Sequence, residues 1–376
     1  MLRSVSPGVG WIQKKYRNQK IIGKISFHRM IFIKIMMAKR KCCLLGIFYL
    51  CEKKMTVILF FVGLVLLVLG SDWLVRGGSG LAKKFRIPDI VIGLTIVSMG
   101  TSLPELLVSL IAALKGSSDI AMGNVVGSNI VNILFILGLS ALIGRLTVQK
   151  NTTFVEIPIA LGTALLLTVM GVVSADSTAK TGSLGQTHGI ILLVFFVLFL
   201  SYMFWMTRQS RTQEMETEAK SENTSKPSFL LVGMLVSGIA LLAWGADLCV
   251  NNAVLIARSW GASETLIGLT LVAAGTSLPE LFTSVVATIR KESDIAIGNV
   301  VGSNIFNILF ILGISGVIHP ISYSIEMISD MWVMVATTLL LFVLVFMGKR
   351  HSLGRVEGLI FLLAYSAYLY FLIQRG

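Results

Sequence analysis

Two stretches of this chain, residues 93–138 and 268–313, align without a gap at a constant offset of 175, and 32 of their 46 positions are identical. A repeat of that size constrains the architecture before any other feature does, because both copies must adopt the same local fold. The first copy contains GTSLPELLVSL and GNVVGSNIVNILFILG; the second contains GTSLPELFTSV and GNVVGSNIFNILFILG. The offset extends upstream, where it pairs Gly70 with Gly245 and Asp72 with Asp247.

The surroundings of the repeat are apolar. Of the 376 residues, 55% are hydrophobic and 14% charged, with a mean hydropathy of +0.84, whereas soluble domains carry roughly 25% charged residues. A membrane helix needs about 20 apolar residues. Apolar runs of that length stand near 56–76, 88–114, 120–143, 154–174 and 187–206, and again near 229–257, 263–289, 295–318, 329–348 and 355–373. Between the two sets lies a polar stretch, 207–227, without apolar periodicity. An odd number of spans per copy places the copies in opposite membrane orientation. The chain is therefore read as an all-α membrane protein. Its ten transmembrane helices form two inverted-topology five-helix repeats, 55–206 and 228–376, joined by a short cytoplasmic linker at 207–227. Secondary transporters use this arrangement, with broken helices and a site at the midplane between the repeats.

The net charge of +13 does not point to a nucleic-acid partner once it is located. Residues 1–54 hold 13 of the 32 Lys and Arg but one of the 19 Asp and Glu, so the remainder is near neutral. Cys42, Cys43 and Cys51 also lie there, which leaves Cys249 alone in the body and no disulfide framework. The run Leu44–Leu50 is too short to span, and no cleavage site follows a signal-peptide core. Met55 opens the first full span, so residues 1–54 are expected to be a basic N-terminal extension outside the fold; a basic membrane-surface leader is the competing reading. The positive-inside rule orients the body. Lys83, Lys84, Arg86, Arg145, Lys150, Arg208, Arg211, Lys220, Lys226, Arg290, Lys291, Lys349, Arg350 and Arg355 fall on one side, and Lys115, Lys180, Arg258 and Arg375 on the other. This predicts a multi-pass cell (inner or plasma) membrane protein with both ends of the ten-helix body outside.

The chemistry lies in the repeat. Glu105 and Glu280 sit inside apolar spans, where a charge costs about 2.5–3.5 kcal/mol on insertion scales and is usually functional. Each follows a proline, Pro104 or Pro279, which cannot donate a helical hydrogen bond and so frees the carbonyls of Gly100 and Gly275. Thr101 and Thr276 lie four residues before the carboxylates, on the same helix face. On the next span Asn124, Ser128 and Asn132 recur every four residues, as do Asn299, Ser303 and Asn307. Carboxylates, amides, hydroxyls and freed carbonyls make an all-oxygen cage suited to Ca²⁺, which takes six to eight oxygens, or to Na⁺; Glu105, Glu280, Asn132 and Asn307 are its metal-ligand candidates. No resident cofactor is implied. The pairs Gly123/Gly127 and Gly298/Gly302 fit close helix packing. Asp119 and Asp294 are expected to be helix N-caps, the role of Asp72 and Asp247 stays open, and His28, His188, His319 and His351 are read as solvated.

At these residues the sequence resembles the calcium/cation antiporter superfamily, the sodium/calcium exchangers of bacterial type, from Met55 to the C-terminus. The resemblance implies ten helices around four clustered ion sites, with spans two and seven, and three and eight, as pairs. It implies that Glu105 and Glu280 are shared by Ca²⁺ and Na⁺, and that Thr101, Ser102, Thr276, Ser277, Ser128, Asn132, Ser303 and Asn307 line the Na⁺ sites. The backbone carbonyls of Ser98 and Ala273 would complete two of these sites, and the first and sixth helices would slide against the core. One departure stands out: Asn307 occupies a position where exchangers of this superfamily often carry Asp. That leaves two formal charges at the centre and keeps open the counter-ion, Na⁺ or H⁺.

The expected function is secondary active antiport of Ca²⁺ against Na⁺ by alternating access, with Ca²⁺/H⁺ exchange as the alternative and a cation channel as a third reading. An enzyme is not expected: the spans carry no His–Ser dyad, paired aspartates or metal-binding His. The 207–227 loop is also too short to hold a folded Ca²⁺-sensor domain.

Overall fold

The computed structural model describes residues 45–115, 118–176, 178–216, 227–260, 275–347 and 351–375. The chain divides into two units, Met1–Met55 and Thr56–Gly376. Of the first, residues 45–55 are described, and they are helical.

The second unit is mainly helical. A helix from Leu45 to Phe85 (α1) is membrane-long over Lys54–Phe85. Next come Asp89–Thr101 (α2) and Leu103–Leu114 (α3), which meet at a 49° bend and together pass for one span. Ile120–Ile143 (α4), Thr152–Val173 (α5) and Gln186–Gln209 (α6) follow, then Ser228–Ser259 (α7). After residues outside the description come Leu278–Ile289 (α8), Ser293–Ile318 (α9), Met327–Phe346 (α10) and Arg355–Arg375 (α11). Among the described residues, eight helices are long and apolar enough to cross a membrane, or nine if the bent pair is one span. The span read near 263–289 is represented by α8 alone, its first half lying outside the described residues.

Burial sorts these helices into layers. In α9 78% of the apolar window is buried, and in α4 67%, against 11% in α11 and 28% in α1. The two helices carrying the Asn–Ser–Asn rows therefore form the centre, while α1, α6, α7 and α11 turn Val, Leu, Ile and Phe outward. Such outward apolar surface is what lipid requires.

α1 and α7 each have 32 apolar-span residues, about 48 Å at 1.5 Å per residue and well over the ~30 Å hydrocarbon thickness. They pack antiparallel along glycines seven residues apart. Gly63 meets Gly245 and Cys249, Gly70 meets Gly238 and Leu242, and Gly77 meets Leu231 and Leu235. A Cβ on Gly70 would stand 2.9 Å from the Gly238 carbonyl oxygen, so only glycine permits this approach. In the core, Gly298 and Gly302 likewise let α9 lie against the Ile90–Ser98 stretch of α2. The packing read for this pair is thus present, while the segment that would match it for Gly123 and Gly127 lies outside the described residues.

Short strands close the two ends. At one end Leu146–Thr147 (β1) pairs antiparallel with Ser352–Leu353 (β5). At the other, Ala175–Asp176 (β2), Thr181–Leu184 (β3) and Ile321–Ser324 (β4) form a three-stranded sheet in that order. In the turn after β2, the backbone N–H groups of Thr178 and Ala179 donate to Asp176 Oδ1 at 2.8 and 3.2 Å, which lowers the carboxyl below its usual range.

Several expectations for polar residues change. Asp294 is not an N-cap: Glu292 precedes the first turn of α9, and Asp294 lies within that turn, accepting from Gln149 Nε2. The structure gives Asp72 an ion pair with Arg76 at 2.9 Å and another with Arg290. Asp247 accepts from Asn251 Nδ2 at 2.8 Å. His351 is not simply solvated; its ring packs against Phe154 and Phe346. His188 is hydrogen-bonded to Ser174 and to the backbone of Gly185.

Candidate cation site

The bend between α2 and α3 falls at Ser102 (φ −81°, ψ 10°), and its counterpart Ser277 (φ −84°, ψ 7°) precedes α8 in the same conformation. Pro104 and Pro279 then occupy the first turns of α3 and α8, where a missing N–H leaves no interior bond unmade. The helix thus breaks at the serines, between Gly100 and Pro104 and between Gly275 and Pro279, and the prolines open the new helices. Gly100 and Gly275 lie against the side chains of Ile239 and Val250 of α7, which a Cβ would approach to 2.6 and 2.4 Å. Glu105 and Glu280 come in the first turn after the break, which favours negative charge there.

Both carboxylates are buried, each 1% exposed. Each is held from the opposite repeat: Ser102 Oγ donates to Glu280 Oε1 at 2.7 Å, and Ser277 Oγ to Glu105 Oε1 at 3.2 Å. Ser303 Oγ also reaches Glu280 Oε1 at 3.5 Å. The threonines behave alike. Thr101 Oγ1 donates to Asn299 Oδ1 at 3.0 Å, and Thr276 Oγ1 to Asn124 Oδ1 at 3.4 Å. In turn Asn124 Nδ2 donates to the Glu105 carbonyl and Ser109, and Asn299 Nδ2 to the Glu280 carbonyl and Ser284. Asn124 and Asn299 therefore clamp the broken helices and are not open ligands, contrary to the simple four-residue row.

What remains unpaired is as informative. Among the described residues no donor reaches Glu105 Oε2, Glu280 Oε2, Asn132 Oδ1 or Asn307 Oδ1, and Ser128 Oγ is also without a partner, although all five atoms are buried. Leaving a buried polar atom unsatisfied costs about 1–3 kcal/mol, and these oxygens lie on the broken helices α3 and α8 and on the central helices α4 and α9, a donor set that fits a hard cation. Asn132 and Asn307 each open a π-helical stretch, Asn132–Leu137 and Asn307–Leu312, a local widening that recurs at functional sites. The Ser98 carbonyl is already used, accepting from Ser102 N at 3.0 Å and Thr101 Oγ1 at 3.2 Å. Ala273 lies outside the described residues. Among the described residues no group of three or more His, Cys, Asp and Glu is placed to hold a metal ion; Glu105 and Glu280 are accompanied by buried amide and hydroxyl oxygens.

Sequence reasoning missed Glu156 and the asparagines Asn129 and Asn304. Glu156 is fully buried on α5 and accepts from Tyr202 of α6 at 2.8 Å. Its position in the second repeat holds Met331, so no doubling drew attention to it. Asn129 and Asn304 fall outside the four-residue spacing that selected their neighbours, although both copies contain them.

Membrane-long helices packed around buried, cross-bonded carboxylates and unpaired oxygens describe a polytopic transporter of cations. The sequence model of the sodium/calcium exchanger protein family matches residues 55–205 and 230–374. The putative antiporter CaxA of Alkalimonas amylolytica is 41% identical over 322 residues, covering 84% of this chain and 98% of that protein. The sodium/calcium exchanger MaX1 of Methanosarcina acetivorans is 34% identical over 344 residues, covering 83% and 97%. Among solved structures, the sodium-calcium exchanger NCX_Mj soaked with Na⁺ and Ca²⁺ superposes with a TM-score of 0.70 at 33% identity, covering 84% of this chain and 98% of that one. The chain belongs to the sodium/calcium exchanger family and is a membrane cation antiporter.

Proposed function

We propose that this protein exchanges Ca²⁺ for Na⁺ across the cell membrane by alternating access, using Glu105 and Glu280 as the shared carboxylates. The observation that carries the reading is the pair of buried carboxylates, each bonded by the serine of the other repeat and each left with one unpaired oxygen. Two negative charges in a dry centre require compensation. One Ca²⁺ supplies it, and so do Na⁺ ions entering when Ca²⁺ leaves. Mutually exclusive occupancy couples the two fluxes, and the compensated centre is the one that switches face. Asn132, Asn307, Ser128 and Ser303 complete the oxygen set, with Thr101, Ser102, Thr276 and Ser277 around the Na⁺ positions.

The ten-span inverted architecture belongs to this proposal. Hydrogen bonds across the centre occur in reciprocal pairs, each with its residues exchanged by 175, and α1 and α7 meet antiparallel through counterpart glycines. Such self-complementary contacts are what a two-fold axis between the halves requires. An axis relating antiparallel helices lies in the membrane plane, which supports repeats 55–206 and 228–376 of opposite orientation. The charge bias supports a cytoplasmic 207–227 linker and both ends of the body outside.

The two-carboxylate centre with Asn307 is equally suited in charge to two protons as counter-ions, so proton-coupled exchange is the second reading. Uptake of ⁴⁵Ca²⁺ into proteoliposomes separates them. The expected outcome is uptake driven by an outward Na⁺ gradient and insensitive to a protonophore. Uptake driven only by an outward proton gradient would move the protein to Ca²⁺/H⁺ exchange, and flux without any counter-ion would mean a channel.

A further inference from the structure

At the contact between α4 and α9 four asparagines form a closed set of hydrogen bonds. Asn129 Nδ2 donates to the Asn304 backbone carbonyl at 3.2 Å, and Asn304 Nδ2 donates to the Asn129 carbonyl at 3.2 Å. Asn307 Nδ2 then donates to Asn129 Oδ1 at 3.0 Å, and Asn132 Nδ2 to Asn304 Oδ1 at 3.0 Å. All four side chains are buried, none more than 3% exposed.

The orientation of every amide follows from the backbone. A main-chain carbonyl only accepts, so Asn129 must turn its Nδ2 end toward Asn304 O, which leaves its Oδ1 facing Asn307. That oxygen in turn accepts only from a donor, so Asn307 must present Nδ2 to it and Oδ1 away from it. The same logic runs from the Asn129 carbonyl through Asn304 to Asn132. The two outward oxygens, Asn307 Oδ1 and Asn132 Oδ1, are the buried ones that no described donor reaches. A flipped amide would turn its N–H₂ end toward the centre and repel a cation.

The geometry points to Asn129 and Asn304 as positioning residues that fix the Asn307 and Asn132 amides, each across the repeat boundary, with their oxygens toward the transported cation. This inference rests on the reading of Asn132 and Asn307 as cation ligands. It adds residues that touch no ion yet set the affinity of the site. It also assigns a cost to negative charge at position 307: a carboxylate there would face Asn129 Oδ1, oxygen against oxygen, unless it carried a proton or Asn129 gave up its bond to the Asn304 carbonyl.

Double-mutant cycles on the half-saturating Ca²⁺ concentration for ⁴⁵Ca²⁺ uptake, with the full chain in proteoliposomes, test it. Coupled neighbours show interaction energies of about 0.5–3 kcal/mol, from about twofold to over a hundredfold in affinity. Asn307→Ala is expected to raise half-saturation by about tenfold or more and Asn129→Ala by about threefold or more, with the double substitution no weaker than Asn307→Ala alone. Asn304→Ala should couple to Asn132→Ala in the same way, whereas a residue serving only packing would lower stability without this crossed pattern. Additive effects of Asn129→Ala and Asn307→Ala, with Asn307→Ala alone weakening Ca²⁺, would overturn the positioning role and leave the ligand reading intact. Unchanged half-saturation in Asn307→Ala would instead overturn the ligand reading. Should Asn129→Ala fail to insert, Asn129→Ser enters the same cycle with a smaller cavity, and the Asn304 arm supplies the decision independently.

Discussion

At the scale of single residues, the buried glutamates Glu105, Glu280 and Glu156 differ in how they are bonded. Glu105 and Glu280 are doubled and each accepts from a serine of the other repeat; Glu156, whose counterpart at the offset of 175 is Met331, also has one unpaired oxygen but accepts from a tyrosine hydroxyl of α6. Removing a charged partner from a buried ionic centre costs about 3–5 kcal/mol. Glu105→Gln or Glu280→Gln should therefore raise the Ca²⁺ concentration for half-maximal uptake at least about a hundredfold while leaving the protein inserted. Retained uptake in both variants would sink the assignment. Glu156→Gln keeps an acceptor for Tyr202 and should leave uptake near that of the unsubstituted protein. Glu156→Leu orphans the Tyr202 hydroxyl and should lower stability by about 1–3 kcal/mol, read as a lower melting temperature in detergent. A Glu156→Gln variant that stops exchange would instead place Glu156 in the transport path. The doubling of the glutamates made them legible in the sequence. Asn129 and Asn304 were not, because their role depends on a partner 175 positions away.

The elements divide between a buried centre and long outer helices. Hydropathy located the spans well, since lipid demands an apolar run wherever a helix crosses. It could not show that α1 and α7 extend past the membrane thickness, or that Gly63, Gly70 and Gly77 form one stripe against Gly238 and Gly245. A seven-residue glycine spacing acquires meaning only when a second helix with the same spacing lies opposite. This stripe brings the backbones of α1 and α7 into close contact and holds the two helices together as a pair. Gly70→Leu should lose exchange and lower the melting temperature, the strain of overpacking being about 1–3 kcal/mol. Gly233→Leu, on an exposed face of the same α7 helix, should be tolerated. Equal tolerance at both positions would show that close approach of α1 and α7 is not needed. The break was legible as a Pro–Glu pair, yet its location at Ser102 and Ser277 was not, since proline in a first turn is compatible with a helix starting just before it.

At the scale of the whole molecule, the polar residues that would hold the ions are also part of the interface between the two halves, so folding and binding share contacts. The repeat announced this arrangement in the sequence, because an interface built from two copies of one motif brings equivalent residues together. The paired strands at each end were not legible; strands of two to four residues are too short to carry a clear alternation of their own. Buried oxygens without a partner cost stability, so a cation bound by residues of both repeats should stabilise both halves at once. Ligand present at a hundred times its dissociation constant adds about 2.7 kcal/mol to the folded state. Ca²⁺ at that excess should therefore raise the melting temperature of the purified protein by several degrees, as Na⁺ should at its own saturating concentration. Because both ions neutralise the same carboxylates, their effects should compete: with Na⁺ saturating, the Ca²⁺ needed for its half-maximal shift must rise with Na⁺ concentration. In Glu105→Gln the Ca²⁺ shift should vanish at the same concentrations. Shifts that add at all concentrations would mean separate sites for the two ions, and coupling by exclusive occupancy of one centre would then fail even with the fold intact.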